Sequence, residues 1–309
     1  MLDLVLTILF SALIVTLLRG AGQARADLLT VVAINYLTAA VFGLFFTPEV
    51  WSEWSQPAPW QGLALLQGTM FVAIFFSIGN GAKILGLGFT GVVIKLSVLF
   101  PVLVSWWLYD EPLGPRQIFG LALALSGILL LNAANLGLRR PSELFSRNRK
   151  RSSKASKAST PEERRSAAKR LGLTAFLFLG TGVADSNFKI FGQEFGAQIG
   201  QQAFVVSLFS VAALVSTLAV LVRWVRGRRA LGRKELLWGV LVGVPNWYSL
   251  VFLLRGLADV PGSVFFPINN IGQLLLVNLA GLVVFREKLS VPARWGLAAA
   301  VAAIALLAE

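Results

Sequence analysis

TGVVIKLSVLFPVLVSWWLYDE, residues Thr90–Glu111, is the stretch that decides the fold of this chain. It holds about twenty apolar residues, which is the length that an α-helix needs to cross a bilayer. Lys95 is the one charge inside it, Pro101 follows less than two turns later, and Asp110 and Glu111 end it. A charged side chain at such depth is costly, so Lys95 is by default a functional residue. The alternative is that its long stem bends back to the membrane interface.

The composition of the whole chain points the same way. Hydrophobic residues make up 56% of its 309 residues and charged residues only 14%, which excludes a soluble domain of this length. The chain has no cysteine and no histidine. Thiol chemistry is therefore excluded, and a zinc or di-iron site is disfavoured. We expect no metal and no other cofactor.

Ten segments have the length and apolarity of membrane spans and predict an all-α integral membrane protein with ten transmembrane helices. The first lacks the basic start and the cleavage site of a signal peptide, so we expect it to remain as a helix. In order, the ten segments are Leu2–Leu18, Leu28–Phe46, Gly62–Ala82, Thr90–Glu111, Gln117–Ala133, Leu171–Phe191, Ala203–Leu221, Leu236–Leu254, Gly262–Phe285 and Trp295–Ala308.

Residues 138–170 differ in kind from these segments. They contain twelve lysines and arginines and almost no large apolar residues, which predicts a disordered cytoplasmic linker. Binding of this linker to anionic lipid headgroups is an alternative. At its end, Thr160-Pro161-Glu162-Glu163 combines a capping threonine with a proline at the first helical position. This pattern predicts a helix that begins at Pro161 and continues into the sixth segment.

The basic residues report topology. Of the 28 lysines and arginines, 24 lie in the loops after odd-numbered segments. The positive-inside rule then places the odd-numbered loops in the cytoplasm and both termini outside, in a bacterial-type inner membrane. Because the net charge of +13 has this origin, no nucleic acid is expected as a partner. The expected partners are a small-molecule substrate and the lipid bilayer, and a homodimer remains an alternative.

The two halves of the chain resemble each other. Glu111–Leu131 aligns without gaps with Glu287–Leu307, and the identities include Glu111 with Glu287 and Gly120 with Gly296. Each half has five segments, an odd number, so the second half must be inverted across the membrane relative to the first. The predicted units are residues 1–137 and 171–309, two inverted five-helix repeats that flank the linker of residues 138–170.

The Pro101 helix, the following Asp110-Glu111-Pro112-Leu113 and its second copy Arg286-Glu287-Lys288-Leu289 resemble the EamA-like ten-helix members of the drug/metabolite transporter superfamily. The resemblance implies alternating access by a five-plus-five inverted repeat, without ATP hydrolysis. It also implies cytoplasmic termini, which opposes the charge distribution, and the charge distribution is followed here. An enzyme is not expected, because the chain has no carboxylate cluster and no phosphate-cradling loop.

Polar residues inside the spans predict a binding site near the middle of the membrane. Depth along each helix, at 1.5 Å per residue, brings several of them to a similar level. Pro245, Pro267 and Gly272 are expected to loosen their helices and to free backbone carbonyls there. Interhelical packing is the alternative role for each polar residue. The predicted substrate-binding residues are Lys95, Asn269, Asn270, Gln273, Asn246, Tyr248, Asn35 and Tyr36.

Asp185 is the predicted proton or cation carrier, with Lys189 one turn after it. The alternative is a buried Asp185–Lys189 pair that locks the sixth helix. A direct Lys95–Asp185 ion pair is not expected, because the two lie roughly 13 Å apart in depth. Glu111 and Glu287 are predicted to be solvated caps on the helices that follow them.

Two functions fit this pattern. The first is a secondary active transporter of a small polar or amphipathic metabolite, in which Asp185 is the candidate residue for coupling transport to protons. The alternative is a flippase for a lipid-linked substrate on the same fold, with Lys83 and Lys95 at the level of the lipid headgroups.

Overall fold

The computed structural model describes residues 1–55, 58–132, 161–227, 231–284, 286 and 290–308. In these ranges all regular secondary structure is helical, as the composition predicts. We label the helices α1 Leu2–Gln23, α2 Leu28–Phe46, α3 Val50–Trp54, α4 Pro59–Ile84, α5 Leu87–Leu96, α6 Leu99–Leu108, α7 Pro115–Leu131, α8 Pro161–Glu194, α9 Gln201–Val225, α10 Arg233–Asp259, α11 Gly262–Val283 and α12 Val291–Ala308.

Eight stretches among the described residues are long and apolar enough to cross a membrane. They are α1, α2, α4, α9, α10, α11, α12 and Gly88–Leu108, which joins α5 to α6. The predicted fifth segment corresponds to α7, an apolar helix of 17 residues. The predicted sixth lies inside α8, whose 34 residues begin with a charged turn. The architecture is that of an all-α membrane protein.

The stretch Thr90–Glu111 is not one continuous helix. Pro101 has no N–H group, so it cannot bond to the carbonyl of Ser97. Phe100 N donates to that carbonyl instead, at 2.9 Å. The chain therefore breaks between α5 and α6, and Lys95 lies in the last turn of α5. The prediction of one continuous helix was wrong, because Pro101 interrupts the hydrogen-bond pattern inside the span Gly88–Leu108.

Other boundaries follow the predicted pattern more closely. α2 begins and ends where the second segment does, and α8 begins at Pro161, as the capping pattern predicts. α3 is a short helix that the sequence did not indicate. Residues 138–160 of the predicted linker lie outside the described residues. So do Glu287, Lys288 and Leu289 of the predicted repeat, and the predicted cap at Glu287 with them.

The helices of the first half pack mainly against those of the second. α2 contacts α9, and α7 contacts α12. Several further contacts form matched pairs: α1 with α10 and α8 with α4, α2 with α10 and α9 with α4, α1 with α11 and α8 with α5 and α6. The core is consequently built between the two halves rather than within each of them.

Large buried side chains gather at one end of this bundle, which we call the even-loop end because it contains the connections after the even-numbered segments. Phe191 and Phe204 stack there with ring centroids 3.9 Å apart. Trp60, Phe265 and Leu4, at the starts of α4, α11 and α1, are fully buried beside them. The opposite, odd-loop end contains the ion pair between Asp27 and Arg223, at 2.7 Å. Aromatic packing thus closes the even-loop end.

Two glycines of α10 allow a close helix contact that shapes the core. Gly243 of α10 faces α2, where a Cβ would lie 2.5 Å from Thr38 Cβ and 2.8 Å from the backbone oxygen of Asn35. Gly239, one turn earlier, faces Ile34 in the same way. Small residues at this spacing let two membrane helices approach until their backbones touch.

We expect Gly243→Ala to destabilise the protein by about 1–3 kcal/mol, because the added methyl group would meet a backbone oxygen that cannot move aside. The melting temperature of the purified protein in detergent measures this effect. Gly79→Ala is the matched control, since nothing lies within 4 Å of a Cβ at Gly79. An equal loss of stability in both variants would contradict the close α2–α10 contact.

Candidate functional site

A cavity of about 250 Å³ lies between α1, α2, α4, α8 and α10. Its polar lining comes from Asn35, Tyr36, Thr181, Asp185 and Asn246. Asn246 Nδ2 donates a hydrogen bond of 3.0 Å to Asn35 Oδ1, which joins α10 to α2. The structure thus brings four of the sequence-predicted site residues and one further hydroxyl to one space.

The walls of this cavity show where it leads. Leu18, near the end of α1, and Ile78, near the end of α4, both line it. Both helices end at the odd-loop end, so the cavity extends from the middle of the bundle toward that end. Tyr36 forms part of an aromatic wall, with its ring 6.3 Å from that of Phe71. Thr181 Oγ1 is buried and has no hydrogen-bond partner in the described part of the chain.

Lys95, on α5, belongs to a second polar group, whose other members lie on α11. Its Nζ donates to Asn270 Oδ1 at 2.9 Å and to Gln273 Oε1 at 3.1 Å. Gln273 Nε2 in turn donates to Asn269 Oδ1 at 3.0 Å, so the two amides one turn apart share a face as expected. The ammonium is therefore directed to protein oxygens and not to the membrane interface. The snorkelling alternative was wrong for this reason.

Electrostatics connect the two polar groups. Lys95 and Asp185 lie close enough for their charges to interact, although Lys95 Nζ donates its hydrogen bonds to the two amide oxygens of α11. An amino group and a carboxyl group thus lie near each other inside the bundle, and each has its own surroundings. Asp185 remains directed to the cavity.

Lys189 does not pair with Asp185, so that alternative was wrong. Its Nζ lies 2.5 Å from Glu111 Oε1. The same carboxylate accepts hydrogen bonds from the backbone N–H groups of Gly262, at 3.0 Å, and Ser263, at 2.9 Å. We call Glu111, Lys189, Gly262 and Ser263 the Glu111 cluster; it lies at the even-loop end and joins α8 to the start of α11.

The prediction that Glu111 is a solvated cap of the following helix was also wrong. Its side chain is only 12% exposed, and it caps α11 in the other half of the chain. Asp110 adopts a left-handed φ of 51° just before it, at the turn that leads out of α6. An ammonium together with free N–H groups at a helix start attracts a carboxylate more strongly than water does.

Tyr248 is the predicted site residue that the structure separates from the others. Its ring stacks on Phe10, at 5.4 Å between centroids, and does not line the cavity. α10 and α11 continue as helices through Pro245 and Pro267. Gly272 serves close packing, since a Cβ there would lie 2.7 Å from Ile8 Cδ1. The polar residues that line the cavity are Asn35, Tyr36, Thr181, Asp185 and Asn246.

Sequence reasoning missed a buried amide pair beside the site. Asn187 Nδ2 donates to Gln67 Oε1 at 2.8 Å and to the backbone oxygen of Leu63 at 3.0 Å, which joins α8 to α4. Gln67 Nε2 and Asn187 Oδ1 are buried and lack partners in the part of the chain that the structure describes. Each amide lies inside an apolar segment, and that position was the available signal.

The comparisons with known proteins agree with this geometry. Residues 1–133 match the family model of the EamA-like transporter family. This match confirms, for residues 1–133, the resemblance to the EamA-like family of the drug/metabolite transporter superfamily. The apolar helices indicate a multi-pass membrane protein.

Two further similarities extend over nearly the whole chain. An uncharacterized protein of Haemophilus influenzae is 23% identical over 302 residues, covering 93% of this chain and 91% of that protein. A protein of known crystal structure is 16% identical, with a TM-score of 0.72, and the similarity covers 99% of this chain and 94% of the other. The second similarity shows a shared fold.

The Glu111 carboxyl predicts an acid-sensitive stability. Burial by itself raises its pKa, but hydrogen bonds from Lys189, Ser263 and Gly262 outweigh burial and hold that pKa below its ordinary value. A lowered pKa in the folded state stabilises the fold above the ordinary pKa. This stabilisation is lost as the pH falls through the lower, folded-state value.

We therefore expect the melting temperature to fall as the pH is lowered from neutral into the range of about 3 to 4. In Glu111→Gln the melting temperature should be lower at neutral pH and should fall less on acidification. Glu49→Gln, at the same end of the bundle but exposed, is the matched control. An acid-induced fall of unchanged size in Glu111→Gln would contradict this assignment.

Proposed function

We propose that this EamA-like protein is a secondary active transporter of a small polar or amphipathic metabolite that works by alternating access. The observation that carries the proposal is the polar cavity of about 250 Å³. It extends toward the odd-loop end, while aromatic packing and the Glu111 cluster close the even-loop end. A mid-membrane site reached from one side only is what one state of an alternating-access cycle requires.

The matched helix contacts support a ten-helix arrangement in two inverted repeats. If α7 and α8 also cross the membrane, the spans number ten. Exchange of the halves then turns the α1–α10 contact into α8–α4 and the α2–α10 contact into α9–α4, and both members of each pair are present. We accordingly propose repeats over residues 1–137 and 171–309, with residues 138–170 as the connection between them.

The polar groups suggest roles in binding. Lys95 would attract an anionic group of the substrate, and the amides of Asn270 and Gln273 hold its ammonium in place. Asn35 and Asn246 would supply hydrogen bonds from the cavity wall. Asp185, the carboxylate of the cavity, would bind a proton or another coupling cation.

The charge distribution supports a membrane orientation. Basic residues in the odd-numbered loops favour a cytoplasmic odd-loop end in an inner membrane, with both termini outside. In that orientation the described state is open toward the cytoplasm. The labelling experiment given below for Ser263 tests this orientation as well.

One observation favours the flippase as a second candidate. An apolar cavity of about 470 Å³ lies between α1, α11 and α12. Val5, Leu276 and Val301 are among its lining residues, and its surface is almost entirely apolar. Such a space fits the acyl chain of a lipid-linked substrate beside the polar group of α11. Transport of a lipid-linked compound but of no water-soluble solute would favour this candidate.

Uptake into proteoliposomes against a panel of metabolites, with and without a pH gradient, tests the transporter proposal. We expect Asp185→Asn to abolish the response of transport to the gradient, because the amide cannot take up a proton. Asp259→Asn, an exposed position at the end of α10, is the matched control. Coupled transport that survives in Asp185→Asn would refute the role of this carboxylate.

Lys95→Ala tests the anion-binding role. We expect affinity for anionic substrates to fall about 10- to 100-fold, the value of a lost charge-assisted hydrogen bond, while neutral substrates lose less. Competition by anionic and neutral analogues of one solute measures the difference. Lys234→Ala, exposed at the start of α10, should change neither. An equal loss for both classes would indicate a structural role for Lys95.

A further inference from the structure

We infer that Lys189 is a two-position switch, which holds Glu111 while the even-loop end is closed and moves to Asp185 when that end opens. The inference rests on the proposed alternating-access transport. It adds to that proposal the residues through which the cavity controls the closed end.

The Glu111 cluster joins three separate parts of the chain. Glu111 lies in the connection between α6 and α7, Lys189 belongs to α8, and the two N–H donors begin α11. Lys189 is 2% exposed, and its ammonium also lies 5.7 Å from the centre of the Tyr109 ring. Lys189 is thus the group in this cluster that ties α8 to the other two parts.

The closed arrangement is tight and leaves polar groups unsatisfied. A Cβ at Gly262 would overlap Ser105 Oγ and would lie 3.2 Å from Lys189 Cδ. The hydroxyls of Ser105 and Ser263 are buried and have no hydrogen-bond partner among the described residues. Buried hydroxyls without partners lower the stability of the closed form relative to a form in which water reaches them. The closure is therefore one that a modest change of charge can release.

Asp185 is the competing partner for Lys189. The two residues are one turn apart on α8, about 6 Å along the axis, and an acid four residues before a base is a favourable helical pair. The cation that faces Asp185 from another helix is Lys95, which the amide oxygens of α11 hold. The other polar residues of the cavity carry no charge at neutral pH: Asn35, Tyr36, Thr181 and Asn246.

Occupation of the cavity then sets the position of Lys189. When a cation is bound to Asp185, this carboxylate no longer attracts Lys189, and the ammonium stays on Glu111. When the cation leaves through the odd-loop end, the bare Asp185 carboxylate draws Lys189 toward it. Glu111 then keeps only the N–H groups of α11, and α8 is free to separate from α11 at the even-loop end.

A single introduced cysteine measures this opening, because the chain contains no cysteine of its own. Ser263→Cys is the reporter, since Ser263 is 2% exposed in the closed form. Ser52→Cys, on α3 at the same end and exposed, is the positive control. A membrane-impermeant thiol reagent is applied to intact cells that produce the full chain, and the rate of labelling is measured.

Opposite changes are expected for the two carboxylates. Glu111→Gln and Lys189→Gln should raise the labelling rate of Ser263→Cys about tenfold, since the closed form loses its ion pair. Asp185→Asn should lower the rate, because Lys189 then has no second partner. In the double variant Glu111→Gln with Asp185→Asn, the labelling rate should stay as high as in Glu111→Gln alone. Glu49→Gln, an exposed position at the same end, is the matched control and should have no effect.

Two results would overturn the inference. An unchanged labelling rate in both Glu111→Gln and Lys189→Gln would show that this ion pair does not hold the even-loop end closed. A raised labelling rate in Asp185→Asn would show that Asp185 and Glu111 do not compete for Lys189. Size-exclusion elution and the melting temperature verify that each variant is folded. If Glu111→Gln does not fold, Glu111→Asp replaces it, which keeps the charge but shortens the side chain, and a smaller rise is expected.

The experiment separates this inference from the proposed function, because labelling requires no substrate. Labelling that responds as expected, in a protein that moves no solute, would leave the switch intact and contradict the transporter proposal. If transport continues while the labelling rate does not respond to changes of Glu111 and Lys189, the transporter proposal stands and the switch is contradicted. If Ser52→Cys reacts only in inverted vesicles, the proposed orientation is wrong, and the same variants are compared there.

Discussion

Inside a bilayer no water is present to solvate a charge, so every buried charged group must find its partners within the protein. This constraint organises the described structure. The ammonium of Lys95 is bound by two amide oxygens of α11, and that of Lys189 by a carboxylate from the other side of a helix interface. Both contacts join the first half of the chain to the second. The polar interactions that the bilayer demands are therefore also the ones that hold the two halves together.

The sequence predicted the helical class well because hydrophobic length is a local property. The bounds of α2 and the start of α8 at Pro161 follow from apolar runs and capping residues within a few positions of each end. The break before Pro101 was harder to predict. A proline early in a span is compatible with a kink, a break or a continuous helix, and α11 does continue through Pro267.

The candidate site was predicted in its residues more than in its pairings. Depth along a helix gives a level in the membrane, and Asn35, Asn246 and Asp185 do share a cavity. Depth gives no information on which face of a helix meets which neighbour, so the partners of Glu111 and Lys189 could not be predicted from the sequence. Tyr248 has a suitable depth but lies on a face that packs against Phe10. Its separation from the cavity is a matter of rotation about the α10 axis.

The break between α5 and α6 has an electrostatic consequence of its own. A helix that ends inside the membrane presents its last carbonyl groups there, and these carry a partial negative charge. Lys95 lies in that last turn. The backbone thus contributes to stabilising the ammonium, in addition to the amides of Asn270 and Gln273. Dipoles thus supply the hydrogen bonds and part of the field that hold this ammonium, and no carboxylate is hydrogen-bonded to it. The Asp185 carboxyl group remains in the cavity lining, where a solute can reach it.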